Sequence, residues 1–291
     1  MATIGFVGLG HMGFPMASNL LKHGHKVIGF DLQKEAVNLF ASIGGIIAND
    51  ISEVTVDTSV IFTMLQTGDQ VKGVLLGENG LFSKAKKETL FIDCSTIDVA
   101  STRDCHLEAA THGMHMLDAP VSGGVSGAAM GALTFMVGGY ENLFDLARSL
   151  LEAMGKTLIY TGPAGSGQAA KICNNMILGI SMIGISEAFN LAKGLGLSDE
   201  KLFEVVTHAS GQCWAMNHYV PVPNILPNVP ANSGYMPGFS VAMMLKDLNL
   251  SQHCAHDAKV TTPLGAKATQ LYQQFNDEGQ GGLDFSAIIK L

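Results

Sequence analysis

At 291 residues, 47% apolar and only 14% charged, the chain is long enough for two hydrophobic cores and too apolar for disorder. A formal charge of -8 and an isoelectric point near 5.6 argue against a nucleic-acid partner, which a clustered Lys/Arg surface would mark. Five scattered cysteines without a Cys-x-x-Cys pair suggest neither a disulfide framework nor a zinc site.

The run from Met1 to Val7 leads straight into a strand pattern, so no targeting peptide is expected. The expected compartment is the cytoplasm, although a mitochondrial matrix protein stripped of its transit peptide would look the same. Short β-branched runs at 3–7, 26–30, 59–64, 89–93, 115–117, 133–137 and 157–160 alternate with amphipathic stretches. That rhythm predicts an α/β fold, with an N-terminal Rossmann domain built on a mostly parallel sheet.

After Gly162-Pro163-Ala164-Gly165 helical periodicity takes over, which divides the chain at 1–163 and 164–291, the second part all-helical. A long helix over 166–195 joins them, apolar on nearly every face through Met176, Ile177, Leu178, Ile180, Met182, Ile183 and Leu191. Such a helix must be buried between elements or subunits, so a homodimer or homotetramer through the helical domain is expected. Its longest apolar run, 176–185, is interrupted by Ser181 and two glycines. That falls short of the roughly 20 residues that cross a bilayer, and no membrane partner is expected. Further helices are expected over 199–208, 241–257 and 263–277, with a short one restarting at Asp284-Phe285-Ser286.

Gly8-Leu9-Gly10-His11-Met12-Gly13 follows the first strand and opens the next helix. In that context the first glycine serves a tight turn, the second the approach of a pyrophosphate, and the third the packing of helix on strand. A dinucleotide is the expected ligand of Gly8, Gly10, His11, Met12 and Gly13. Asp31 ends the second strand, where a carboxylate accepts from ribose hydroxyls and repels a 2′-phosphate. Leu32-Gln33-Lys34 follows it, without an arginine, so NAD is preferred to NADP; an Asp31 that merely caps the next helix would look alike. Two more strand ends should complete the crevice. Leu65 and Gln66 are placed to meet the cofactor, and Thr96 to meet the nicotinamide ribose, unless Ser95 and Thr96 simply cap a helix.

Asp118-Ala119-Pro120-Val121-Ser122-Gly123-Gly124 offers one hydroxyl and two unhindered consecutive amides. Ser122, Gly123 and Gly124 thus suit a carboxylate, or else form a plain turn. In Lys171-Ile172-Cys173-Asn174-Asn175, the lysine and Asn175 share one helix face. Burial lowers a lysine's pKa and fits it to exchange protons near neutrality. Lys171 is therefore the candidate acid/base, and Asn175 the candidate to hold a hydroxyl or carboxylate; a snorkelling lysine is the plainer alternative. Lys246, inside Met244-Leu245-Lys246-Asp247-Leu248, is a candidate for the substrate carboxylate or the cofactor, or half of a surface ion pair. Trp214 and Tyr219 are candidates to line a pocket for an apolar substituent, or core residues. The histidine pairs His112/His115 and His253/His256 lack a third ligand, so no metal is expected.

Taken together, the glycine loop with Met16-Ala17-x-Asn19-Leu20, then Asp118 to Gly124, then Gly167-Gln168-Ala169-Ala170-Lys171-x-x-Asn174-Asn175, then Lys246-Asp247-Leu248, resemble the β-hydroxyacid dehydrogenase family in order and spacing. Within it, Ser210-Gly211-Gln212-Cys213-Trp214, Tyr219-x-Pro221-x-Pro223 and Gly238-Phe239 look like the 3-hydroxyisobutyrate branch rather than the tartronate semialdehyde branch. Relatives that use NADPH tend to carry Asn-Arg where this chain has Asp31-Leu32. The resemblance implies catalysis by Lys171 with Asn175, substrate anchoring at Ser122, Gly123, Gly124 and Asn175, and Lys246 at the closing edge. Trp214, Tyr219 and Phe239 are then expected beside the substrate. The implied activity is NAD-dependent oxidation of a small β-hydroxy acid, 3-hydroxyisobutyrate foremost, with tartronate semialdehyde, serine or succinic semialdehyde as rival substrates. A non-catalytic NAD-binding regulator is the rival from another class.

Overall fold

The computed structural model describes residues 2–291; Met1, the first residue of the N-terminal run, lies outside them. Two compact units emerge, Met1–Lys171 and Ile172–Leu291, dividing inside the long helix.

Among its described residues the first unit carries nine strands, β1 (Thr3–Val7), β2 (Lys26–Phe30), β3 (Ile46–Ile47), β4 (Val60–Thr63), β5 (Leu90–Asp93), β6 (His115–Asp118), β7 (Val121–Ser122), β8 (Leu133–Gly139) and β9 (Gly155–Gly162). They form one sheet in the order β3-β2-β1-β4-β5-β6-β8-β7, with β9 beside β8. Strands β3 to β6 along that order pair in parallel, and β8 runs antiparallel to β6. The order 3-2-1-4-5-6 is the Rossmann arrangement.

Apolar residues on both faces explain why these segments read as runs rather than as alternations. Phe62, Leu90, Ile92 and Leu117 point to one side, with Met16 and Leu20 of helix α1 (Gly13–Lys22). Their sequence neighbours Ile61, Phe91 and Met116 point to the other, with Val71 and Leu75 of a helix over Gly68–Leu75. Two strands had no periodic signal in the sequence, β3 and β7, because each is only two residues long.

Helix α2 (Ser166–Gly194) runs unbroken for 29 residues. It passes through Ser181 and its glycines, so by length and composition it is apolar enough to cross a bilayer, contrary to the expected shortfall. A core helix passes the same test, and Met182, Ile185 and Phe189 of α2 lie in the core of the second unit. Its apolar surface is not buried throughout: Ile177 and Leu191 are 63% and 64% exposed.

The second unit is helical, with α3 (Asp199–Thr207), α4 (Trp214–His218), α5 (Val241–Asp257) and α6 (Pro263–Phe275). Val241, Met244, Leu245 and Leu248 recur at helical spacing on α5 and share a core with Ala268, Tyr272 and Phe275 of α6. Helix α6 stops two residues before the expected end. A wider turn follows over Asn276–Gln280, where Gly279 takes φ +83°. Glycine permits that left-handed geometry without a Cβ clash.

Asp284, fully buried, ties this unit together. One carboxylate oxygen accepts from the Tyr219 hydroxyl at 2.9 Å, Gly238 N at 3.0 Å and Phe239 N at 3.2 Å. The other accepts from Ser286 N at 3.0 Å and Ser286 Oγ at 2.7 Å. Replacing Asp284 by Ala leaves these donors without their acceptor and is expected to destabilise the protein by about 3 kcal/mol. Urea unfolding checks this, and an unchanged midpoint would show that the anchor is dispensable.

Candidate active site

In the first unit the glycine loop has the geometry its spacing predicts. Gly8 takes φ +94°, and a Cβ there would stand 2.3 Å from Met64 O. A Cβ on Gly13 would stand 1.8 Å from Gly8 O, which only glycine avoids. Around Gly10 a Cβ would meet nothing within 4 Å, so this backbone lies open to a ligand. His11 is exposed and Met12 half-buried on the same loop.

Asp31 braces this loop. Its Oδ2 accepts from Leu9 N at 2.7 Å, and its Oδ1 accepts from Gln33 N at 2.8 Å. The carboxylate does not cap the next helix, which starts at Lys34 after Gln33 without a side-chain cap bond; it borders a hollow of about 370 Å³ lined by Phe30, Leu32, Lys34, Asn38 and Ala48 among others. Each carboxylate oxygen has a second lone pair available to a ribose hydroxyl. An open Gly10 backbone and an acidic group at the hollow fit a dinucleotide without a 2′-phosphate.

Two more strand ends are joined through Asp93, at the end of β5 and fully buried. Its Oδ1 accepts from Thr63 Oγ1 at 2.7 Å, Ser95 Oγ at 2.6 Å and Ser95 N at 3.2 Å. Ser95 Oγ in turn accepts from Leu65 N at 2.8 Å, so the loops carrying Leu65, Gln66 and Thr96 are held as one piece. Burial pushes the Asp93 carboxyl up, against the opposing effect of the bonds from Ser95 and Thr63. Neither Ser95 nor Thr96 caps the following helix; Asp98 does, accepting from Ser101 N at 2.7 Å.

The turn after β6 brings Ser122, Gly123 and Gly124 together. Gly123 and Gly124 both take positive φ, +132° and +63°, which aims successive backbone groups along a tight curve. Asn19 of α1 donates to Ala128 O at 2.7 Å and so fastens the segment behind this turn to the helix behind the glycine loop.

Lys171 is buried, at 8% exposure, in the second turn of α2. The first turn of that helix is locked to strand ends of its own unit. Asp118 Oδ1 accepts from Gly165 N at 2.9 Å, and Oδ2 accepts from Gln168 N at 3.1 Å. Gln168 donates from Nε2 to Ser95 O at 2.7 Å and accepts at Oε1 from Ile97 N at 3.2 Å.

In the second unit Asn175 is buried to 1% exposure and donates from Nδ2 to Asp247 Oδ2 at 2.5 Å. Its Oδ1 accepts from Asn174 Nδ2 at 2.9 Å. Lys246 Nζ stands 3.2 Å from Asp247 Oδ1, so the ion pair is partly buried rather than a surface pair. Trp214, Tyr219 and Phe239 belong to one aromatic group. Trp214 stacks on Tyr219 at 5.4 Å, Tyr219 stacks on Phe285 at 5.3 Å, and Phe239 meets Phe285 edge-on at 5.7 Å. Burial and the Asp284 carboxylate push the Tyr219 phenol well up, so its hydroxyl stays a donor to Asp284.

Sequence reading passed over Asp247, Gln168 and Asp284 as functional residues. An acid inside the apolar α5 and an acid flanked by Leu283 and Phe285 were the available signals. Among the described residues no group of three or more His, Cys, Asp or Glu could hold a metal ion.

Residues 3–162 match the family model described as the NAD binding domain of 6-phosphogluconate dehydrogenase. Residues 165–291 match the model described as NAD-binding of NADP-dependent 3-hydroxyisobutyrate dehydrogenase. A probable 3-hydroxyisobutyrate dehydrogenase of Mycobacterium tuberculosis is 46% identical over 289 residues, covering 99% of this chain and 97% of that protein. The NAD-dependent L-serine dehydrogenase of Pseudomonas aeruginosa is 42% identical over 291 residues, covering 100% and 98%. A solved structure of Mycobacterium tuberculosis 3-hydroxyisobutyrate dehydrogenase with L-serine matches with a TM-score of 0.95 at 46% identity, covering 100% of this chain and 98% of that one. With matches of this extent over both units, the chain belongs to the 3-hydroxyisobutyrate dehydrogenase family and is an NAD-dependent oxidoreductase.

Proposed function

We propose that the enzyme reversibly oxidises the primary alcohol of (S)-3-hydroxyisobutyrate to methylmalonate semialdehyde, with Lys171 as the acid/base residue. The observation that carries this reading is a buried lysine on a helix whose first turn is fastened to the strand ends of the nucleotide-binding sheet. Bound NAD supplies the hydride acceptor. Gly8, Gly10, His11, Met12 and Gly13 would hold its pyrophosphate, Asp31 its adenosine ribose, Thr96 its nicotinamide ribose, and Leu65 and Gln66 would pack on the cofactor. Ser122, Gly123 and Gly124 are the residues proposed for the substrate carboxylate, and Asn175 and Lys246 are further proposed substrate-binding residues. Lys171 Nζ accepts the hydroxyl proton in oxidation and returns it in reduction. Asn175 orients that hydroxyl, its own amide fixed by Asp247.

L-serine shares the carboxylate and the primary alcohol and differs in carrying an ammonium where 3-hydroxyisobutyrate has a methyl. Trp214, Tyr219 and Phe239 present aromatic surface, against which a methyl loses nothing and an ammonium loses hydration. The exposed Ile177 and Leu191 on α2 support a homodimer or homotetramer that covers this stripe.

Lys171→Ala is expected to lower kcat by roughly 10³-fold, within the range of general acid/base contributions, while NAD affinity changes little. Steady-state rates with NAD titration by nucleotide fluorescence check it, and near-parent turnover would rule out the assignment. Asp31→Asn is expected to cut the ratio of kcat/KM for NAD over NADP by about tenfold, since a carboxylate facing a 2′-phosphate costs roughly 1.4 kcal/mol or more. An unchanged ratio would remove Asp31 from cofactor choice. For substrates, kcat/KM for (S)-3-hydroxyisobutyrate should exceed that for L-serine by at least about tenfold; equal values would overturn the substrate choice.

A further inference from the structure

We infer that Asp118 and Gln168 are positioning residues that set Lys171 relative to the carboxylate-binding turn and the Thr96 loop. This rests on the reading of Lys171 as the proton carrier. A helix start needs acceptors for its free N-H groups, and the usual source is a Ser, Thr, Asp or Asn at the N-cap itself. Here the local hydroxyl, Ser166 Oγ, pairs with Thr161 Oγ1 at 2.8 Å, and the acceptor comes from a distant strand.

That strand is β6, and the same chain continues from Asp118 through Ala119 and Pro120 to Ser122 and Gly123. One fully buried carboxylate therefore joins the turn that holds the substrate to the helix that holds the lysine. His106 Nε2, 3.0 Å from Asp118 Oδ1, fixes the carboxylate from the other side. The fully buried Gln168 carboxamide makes the second connection, bonding the residues on both sides of Thr96.

The Asp118 connection has no slack. A Cβ on Gly138 would stand 2.7 Å from Asp118 Oδ1, and a Cβ on Gly167 would stand 2.4 Å from Met136 O and 2.7 Å from Asp118 O. Gln168 precedes Lys171 by less than one helical turn, about 4.5 Å of rise at 1.5 Å per residue. With the first turn fixed on two sides, the base of the Lys171 side chain is fixed too. Misplacement by about 1 Å is enough to cost roughly 10²-fold in rate.

The test compares Asp118→Asn and Gln168→Met, each alone and each combined with Lys171→Ala. Alone, each is expected to lower kcat by roughly 10²-fold while the Kd for NAD moves by less than about threefold. In the Lys171→Ala background, neither should lower the residual rate by more than about threefold, because the group they position is gone. Parent-like kcat in both single variants, with Lys171→Ala inactive, overturns the positioning role and leaves the lysine assignment standing. Equal fractional losses with and without Lys171 also overturn it, since the residues then act on general stability. Full turnover by Lys171→Ala itself would overturn both readings. Should Asp118→Asn fail to fold, Gln168→Met, which removes no charge, decides by the same criteria.

Discussion

A helix that starts inside a protein must find partners for its first N-H groups, and the rest of this structure depends on how α2 finds them. Asp118 supplies the acceptors, so the helix start and the end of β6 share one buried anion. Removing that anion would orphan buried donors, which costs more than an ordinary hydrogen bond contributes. The carboxylate also offsets the positive end of the helix dipole. On the proposed reading, a substrate carboxylate would then not be drawn to this helix terminus, which leaves the Ser122 turn as its candidate site. The close approach that makes this possible forces glycine at both Gly138 and Gly167.

Along α2 the two polar residues of the proposed chemistry are braced from different sources. Lys171 follows a turn fastened to the sheet of the first unit, whereas Asn175 is fastened to Asp247 inside the second. Each unit thus prepares its own residue through buried hydrogen bonds. A buried polar side chain with a fixed partner has few alternative rotamers, so its orientation is set before substrate arrives. Asp93 plays the same part for the cofactor side, where one carboxylate oxygen holds the strand ends that carry Leu65 and Thr96.

The fold was largely legible because its signals are local. Strands apolar on both faces, a glycine loop between strand and helix, and helical spacing on α5 all lie within short windows. Features that depend on distant pairing were not legible. Asp118 reads as one residue of a turn, and only the folded chain brings it to Gly165 and Gln168, 47 and 50 residues away. Likewise, nothing near Asp284 announces that it holds Tyr219. Helix α2 was legible as one long helix from its apolar content, whereas the reason for its glycines lies in distant packing, as at Gly179, where a Cβ would stand 3.1 Å from Leu248.

The aromatic group is where local reading carried least and where the structure adds a constraint on substrate choice. Tyr219 offers a ring and a hydroxyl, and a sequence cannot say which faces a ligand. Its hydroxyl is already given to Asp284, so the ring is what remains available. Asp284 itself accepts from five donors and has no capacity left to receive a substrate ammonium. If the rings line the substrate as proposed, the acid bonded to Tyr219 therefore cannot offset the cost of desolvating serine's amino group. On the proposed reading, discrimination at this position would fall to the rings themselves, and aromatic surface, with its large apolar area, suits a methyl substituent.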